Sequence, residues 1–375
     1  MLKLEAIEIL IESLCTGYYD AEADLGPAQR ELEDLMAFAS IYPDWLKIFA
    51  FGALCIGATP MFGGGVIECG FSFVFGCLFG AVLLKVLPRV PKSESTFLFW
   101  SSAIFSLGTR LAMELMLKVN FDLRGWGLFH GVHLNYMSVI LPPIIWILPG
   151  FSMINGFTDF LTGQKTLGIS NIFNALFTAF AIGFGMLLGF NLPFIKEIPV
   201  VEHESVSERL SFLNYLDTHQ LIGLGHRLSP AVKMLFDLVA FAVCIFPISI
   251  TFDCHPKQMP VVMLVSTLSF WAYSATSLAT DGLVGFHDCI PNFVGGFVAG
   301  ILSALWSWVS GYSTTPGIFL GIVILAPGTW GARCFFHGCK MNLEQFGRFG
   351  FGMIAISLAI AVGTLMGRAL LPVRK

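Results

Sequence analysis

Apolar residues run through this chain in long blocks separated by short polar intervals. A helix needs roughly 20 apolar residues to cross a bilayer. Ten blocks meet or approach that length, at 45–63, 65–87, 96–117, 134–160, 167–192, 230–251, 259–281, 289–310, 315–337 and 347–371. The longest polar interval, 193–229, holds Lys196, Glu197, Glu202, Glu204, Glu208, Arg209, Asp217 and Arg227, and its run 206–224 fits a short surface helix. It divides the chain into a first five-helix half, 45–192, and a second, 230–375. Five is odd, so halves that share a fold enter the membrane from opposite sides, as an inverted repeat. Before them lies an acidic segment, 1–44, in which Leu4, Ile7, Leu10, Ile11 and Leu14 have amphipathic helical spacing. The pattern predicts an all-α polytopic membrane protein.

The fourth block of each half is interrupted midway. Ile147-Leu148-Pro149-Gly150 breaks one, and Leu325-Ala326-Pro327-Gly328 breaks the other. Proline removes a backbone donor and clashes with the preceding turn, so a helix kinks or ends there. In lipid, freed backbone groups are tolerated only against protein or a wet cavity. Broken helices at matching positions of two halves mark the central site of many transporters. Restarting helices expose the amides of Phe151, Ser152 and Met153 after one break, and of Thr329, Trp330 and Gly331 after the other. Such amides, with the helix dipole, attract an anion, and an amino-acid carboxylate fits. The plainer reading of either break alone is a structural kink.

Composition agrees with the pattern. The chain is 55% hydrophobic and only 12% charged, with 37 Phe and 39 Gly, against about 25% charge in soluble domains. The formal net charge of −4 says little, because ten acidic residues cluster within the first 44 positions. Setting Lys85, Arg89 and Lys92, with Arg368, Arg374 and Lys375, on the cytosolic side puts the N-terminal segment there too, while Lys118, Arg124, Arg333, Lys340 and Arg348 then fall outside. No secretory leader is predicted, since the first residues carry Glu5 and Glu8. Small residues recur in the spans, as at Gly76 and Gly80, Gly183, Gly185 and Gly189, Gly296 and Gly300, and Gly347, Gly350 and Gly352. They let helix backbones approach closely, for tight packing or for sliding surfaces.

Ionisable residues inside apolar blocks are candidates for function, because a lone charge at membrane depth needs a partner or a wet path. Glu68, Arg110, Glu114, Asp159, Asp237, Asp281 and Arg333 qualify. Arg110 and Glu114 are four apart and can pair along one helix face. Asn155 and Asp159 share a face beyond the first break and can hold a substrate ammonium; alternatively Asp159 ends the helix at the surface. Glu68 follows three glycines at a helix start, where the dipole favours a carboxylate; burial would also suit it to carry a proton. Asp237 is the second proton-coupling candidate, with Lys233 four residues earlier to neutralise it. Arg333 can bind a carboxylate through two parallel hydrogen bonds or snorkel to the interface.

The nine cysteines are scattered and read as small hydrophobes. Cys334, His337 and Cys339 fit zinc spacing poorly, and no cofactor is implied. No HExxH, Walker loop or G-x-S-x-G elbow is present, so the chain is not read as an enzyme, and active transport would be secondary.

The order of these features resembles the threonine/serine exporter family (ThrE) of secondary transporters. The segment Ala28–Leu35 followed by Ile41-Tyr42-Pro43-Asp44-Trp45 is similar to the helix and Tyr-Pro that precede that family's first span. Phe62–Glu68 looks like its glycine-rich first turn, with Glu68 where Asp is usual. Leu148-Pro149-Gly150 with Asn155, then Pro291–Gly300 and Ala326-Pro327-Gly328, resemble its later signatures. The resemblance implies ten spans, a cytosolic N-terminal part and export of small hydroxylated amino acids driven by an ion gradient. The expected substrate-binding residues are Pro149, Gly150, Ser152, Asn155, Asp159, Pro327, Gly328, Thr329 and Arg333. The expected partners are a small amino acid, protons and the lipid bilayer, without nucleic acid; homo-oligomerisation is left open. The plasma membrane is the expected location, with an intracellular membrane as the alternative. A channel-like or regulatory membrane protein retaining the fold is the competing functional reading.

Overall fold

A computed structural model describes residues 40–62, 66–89, 94–123, 136–191, 241, 244–280, 289–310, 314–323 and 325–370. The expected amphipathic segment before residue 40, the surface helix at 206–224, and Asp237 and Asp281 lie outside the described residues. Every regular element among the described residues is helical: α1 (Asp44–Ala58), α2 (Val66–Ala81), α3 (Glu94–Leu123), α4 (Tyr136–Ile144), α5 (Gly150–Leu161), α6 (Lys165–Phe190), α7 (244–251), α8 (Met259–Ala279), α9 (Cys289–Ser310), α10 (Thr315–Val323), α11 (Gly328–Cys339) and α12 (Leu343–Ala369). Five helical stretches are long and apolar enough to cross a membrane, or seven when the bent pairs α4–α5 and α10–α11 are each counted as one span. The protein is a multi-pass integral membrane protein.

The helices start and stop where local chemistry dictates. Pro43 precedes α1, and Asp44 places a carboxylate in its first turn, where the dipole favours it. Asn342 caps α12, its side chain accepting the Gln345 amide at 3.3 Å, with Glu344 in the first turn and Arg368 in the last. Lipid-facing positions are apolar: on α6, Phe173, Phe177, Phe180 and Phe184 recur at helical spacing and are exposed.

Packing follows a pattern that recurs in the two halves. In the first, α4 packs on α2 and α3, α3 lies along α6, α5 folds back on α6, and α5 also touches α12. In the second, α10 packs on α8 and α9, α9 lies along α12, α11 folds back on α12, and α11 touches α6. Glycines make the closest of these contacts. A Cβ on Gly300 would lie 2.5 Å from the Thr364 carbonyl oxygen, and one on Gly76 would lie 2.8 Å from that of Phe51. Gly347 departs from the expected packing role, since nothing approaches its Cβ position within 4 Å.

Two apolar cores result. One joins Ile154 of α5 to Ile245, Phe270, Ala299, Leu320 and Ile360. The other joins Tyr136, Ile140 and Ile144 of α4 to Phe79, Met186, Ala332 and Phe336. The α1 and α7 helices run antiparallel: Lys47 meets Asp253 at one end, and Gly57 meets Cys244 nearer the other. One end of the bundle carries Asp253 and the other Lys340. Phe62, Tyr136 and Phe190 gather at the Lys340 end, and Phe252 and Phe319 gather toward Asp253.

Candidate functional site

The interrupted helices break for a physical reason and then meet. Pro142 and Pro143 lie inside α4 and remove two amide donors. The chain tightens into a 3-10 turn, Ile145–Ile147, and is extended at Leu148 (ψ 132°) before α5 restarts behind Pro149. The bend between the two pieces is 48°. The second pair stops at Val323 and restarts behind Pro327. The two restarts touch reciprocally. A Cβ on Gly150 would lie 2.8 Å from the Gly328 Cα, and a Cβ on Gly328 would lie 3.1 Å from the Gly150 nitrogen.

The amides at this crossing are fewer than the sequence suggests. Met153 N–H donates to the Pro149 carbonyl at 3.0 Å, while Trp330 and Gly331 donate to the Pro327 carbonyl at 3.1 and 3.4 Å. Met153, Trp330 and Gly331 are therefore committed inside their helices. Gly150, Phe151 and Ser152, with Gly328 and Thr329, precede those first helical bonds. Two positive dipole ends thus face one another, and an anion placed between them would relieve the repulsion.

From the crossing, two hairpins run to opposite ends of the bundle. Phe151 of α5 packs edge-on against Phe319, which also touches Phe252, toward Asp253. In α11, Phe336 stacks with Tyr136 and meets Phe190, toward Lys340. The hairpins match in register at a constant spacing, that between 150 and 328. Thr162, Gly163 and Gln164 donate to the carbonyls of Thr158, Phe160 and Asp159; Lys340, Met341 and Asn342 donate to those of Phe336, Gly338 and His337. The tips, Gly163 (φ 96°) and Met341 (φ 60°), are both left-handed.

The matched positions carry opposite chemistry. On α5, Ser152 and Asn155 are exposed and Asp159 is half-exposed, all on one face. Asn171 Nδ2 of α6 donates to Asp159 Oδ2 at 2.8 Å. On α11 those positions are Trp330, Arg333 and His337, and on α12 the position matching Asn171 is Phe349. His337 is buried and stacks on Phe349 (5.5 Å, 12°). Trp330 packs edge-on to Phe349 and fills the space beside Gly352. The Arg333 guanidinium sits 5.6 Å from the Phe62 ring and 5.9 Å from the Phe349 ring. Sequence reasoning missed Asn171 and named Trp330 only for its amide, not for its side chain; the signal for Asn171 was a polar residue recurring with Asn174 and Thr178 on a face other than the phenylalanine stripe.

The remaining candidates separate. Glu68 is buried, at 6% exposure, in the first turn of α2, away from the crossing in sequence but close to Phe62. Arg110 forms no ion pair with Glu114; it donates to the Phe190 carbonyl and lies over that ring at 4.6 Å. Among the described residues the one salt bridge is Lys47–Asp253, which joins the start of α1 to the segment after α7. Ser40 Oγ donates to Asp253 at 2.8 Å, and Tyr42 OH donates to the Cys254 carbonyl at 3.0 Å. Burial alone would raise the Asp253 carboxyl, but the bonds from Lys47 and Ser40 and the Lys47 charge outweigh it and hold it below its ordinary value. Burial, then the Cys254 thiol and the Asp253 charge, raise the Tyr42 phenol.

Known sequences point the same way. A family profile described as "Putative threonine/serine exporter" matches residues 1–192. The chain is also similar to proteins named pheromone-regulated membrane protein 10. It is 25% identical over 300 residues to that of Candida albicans, covering 79% of this chain and 24% of the relative. It is 23% identical over 296 residues to that of Saccharomyces cerevisiae, covering 78% and 67%. It is 21% identical over 349 residues to that of Kluyveromyces lactis, covering 90% and 33%. The chain thus spans about a quarter of the length of the Candida albicans relative. No solved structure matches it.

Proposed function

Since the chain belongs to the threonine/serine exporter family, we propose that it is a secondary active transporter. It exports a small hydroxylated amino acid, threonine, serine or a near relative, in exchange for protons. The observation that carries this reading is the reciprocal contact of Gly150 with Gly328, which sets two helix N-termini face to face inside the bundle. Broken helices whose ends meet at mid-bundle are how transporters bind a carboxylate without burying a permanent cation. The amides of Gly150, Phe151, Ser152, Gly328 and Thr329 hold the substrate carboxylate when the crossing loosens. The Ser152 and Asn155 side chains lie beside it and suit a hydroxyl.

The architecture in this proposal is ten spans in two inverted halves. The recurring packing pattern, the constant register of the two hairpins, the antiparallel α1–α7 pair and the opposite courses of α5 and α11 support it. The Asp253 end is cytosolic, since the described residues at that end include Lys85, Arg89, Lys257 and Arg368. The plasma membrane is the proposed location. Proton coupling is assigned to Glu68, buried in the first turn of α2, together with Asp237.

The test is efflux of labelled threonine and serine from proteoliposomes holding the full chain. Saturable efflux that responds to a pH gradient is the expected result. Replacing Pro149 by Ala and Gly150 by Leu together should abolish it while leaving insertion intact. Unsaturable flux indifferent to the gradient would instead favour a channel, and normal efflux by the double variant would remove the crossing as the site.

A further inference from the structure

The two matched hairpins differ most at one polar rung, and that difference assigns a second site. We infer that Asp159, held by Asn171, is an outer ammonium-binding station on the path from the Asp253 end, separate from the crossing. The inference rests on the transport reading above and adds a residue-specific binding step to it.

Three observations place the station. First, no cation among the described residues pairs with the Asp159 carboxylate. Asn171 occupies Oδ2 at 2.8 Å. A half-buried carboxylate without a counter-ion at the edge of the apolar zone favours a cationic visitor. Second, it stands at the end of a polar track. The register set by Asp159–Asn171 and by Met153 against Ala175 places Asn155 level with Asn174 and Ser152 level with Thr178. Ser152, Asn155 and Asn174 are exposed, on a face turned away from the phenylalanine stripe of α6. Polar side chains in that position are wetted rather than set against acyl chains. The matching track on α11 and α12 is closed by Trp330, His337 and Phe349. The polar hairpin is therefore the open approach and the aromatic hairpin the barrier.

Third, the station is too far from the crossing to serve the same bound molecule. Asp159 is nine residues beyond Gly150, about 13 Å along the helix at 1.5 Å per residue. An α-amino acid carries its ammonium and carboxylate on one carbon. It cannot touch Asp159 while its carboxylate lies on the Gly150 and Gly328 amides. Asp159 therefore meets the ammonium before the carboxylate is captured, which alters the earlier expectation that one substrate engages both.

The station predicts a split in kinetics. In proteoliposomes, Asp159→Asn should raise KM for threonine about tenfold and leave kcat within about twofold, because the interaction is lost before the committed step. Asp159→Glu should keep KM within about threefold of the parent, and Asn171→Ala should raise it by a smaller factor than Asp159→Asn. Ethanolamine, an ammonium without a carboxylate, should compete with threonine in the parent and lose that competition in Asp159→Asn. An unchanged KM in Asp159→Asn, with ethanolamine still competing, would overturn the station and leave the crossing untouched. If the parent moves no amino acid, the transport reading fails, and the station is judged by binding alone. Ethanolamine should then raise the melting temperature of the detergent-solubilised parent and not of Asp159→Asn; no shift in the parent overturns it.

Discussion

Replacing Gly150 by Ala tests the contact on which the functional proposal stands. The added Cβ would fall within 2.8 Å of the Gly328 Cα, and nearer still to its nitrogen, with the Ala326 carbonyl carbon at 3.2 Å. All three neighbours are backbone atoms, so no side chain can rotate aside. Ordinary contact begins near 3.4 Å, so α5 and α11 must separate by roughly 1 Å, and overpacking of this kind costs about 1–3 kcal/mol. The better helix propensity of Ala returns less than about 1 kcal/mol, and less again at the first helical position. The expected net effect is a loss of about 1–2 kcal/mol of stability. The functional loss should be larger, since a displacement of about 1 Å in a binding constellation can cost on the order of 100-fold. Gly328→Ala strains the same contact against Leu148 Cβ at 2.7 Å, so the double variant should be less than additive. Gly70→Ala and Gly347→Ala are the controls, because nothing lies within 4 Å of either Cβ position. They should be neutral or stabilise by up to about 1 kcal/mol. Melting in detergent and flux in proteoliposomes read the two effects. Gly150→Ala with the parent's melting temperature and flux would refute the argument.

Three further outcomes follow from other parts of the molecule. Asp253 has a carboxyl held below its ordinary value by Lys47 and Ser40, so its contribution is full above the unfolded-state pKa of about 4 and fades as pH falls below it. Melting temperature should drop more steeply on acidification in the parent than in Asp253→Asn, and equal slopes would count against the pair. Ser303 is 1% exposed and its hydroxyl has no hydrogen-bond partner among the described residues, in a small pocket with Gln258, Thr314 and Gly317. Ser303→Ala removes an unmet polar group and should be neutral or mildly stabilising. It should also relieve Gly317→Ala, whose Cβ would sit 2.5 Å from the Ser303 oxygen; a large loss in Ser303→Ala would mean that the hydroxyl is satisfied. Trp330→Ser opens the aromatic hairpin and should raise threonine leak in the absence of a pH gradient, measured as tracer loss from loaded proteoliposomes; leak equal to the parent would place the barrier elsewhere.

The breaks were readable in the sequence because proline acts locally: Pro149 and Pro327 stand immediately before the restarting helices, where a missing amide donor is tolerated. The helix bounds were readable too, since apolar runs such as 289–310 must be helical to cross lipid, and α9 occupies those same residues. What touches what was not readable. Arg110 and Glu114 have ideal spacing for a pair, yet α6 ends beside Arg110 and offers the Phe190 carbonyl and ring instead. Helix register fixes which residues share a face and is silent about what packs on it. Lys47 and Asp253 lie 206 positions apart, and only the antiparallel run of α1 and α7 brings them together.

The same limit explains why the sequence showed the matching breaks but not how far the hairpins after them match. Between 149–164 and 327–342 only the Pro-Gly pair and one phenylalanine, Phe157 against Phe335, agree. A hairpin is specified by few residues: something to start each helix, a tip that accepts positive φ, and small residues where the arms cross. Gly163 and Met341 meet the second demand by different means, one without a side chain and one with its side chain exposed. Gly156 and Gly168 meet the third in the first hairpin, where either Cβ would come within 3.0 Å of the opposite backbone. In the second, Gly338 takes Phe346 against it. Every other position is free to diverge, and the divergence is where sidedness enters. Under the transport proposal a path open at both ends would leak, so two matched hairpins at opposite ends serve it only if they seal differently. Ser152, Asn155 and Asp159 in one copy, against Trp330, Arg333 and His337 in the other, supply that difference at identical backbone positions.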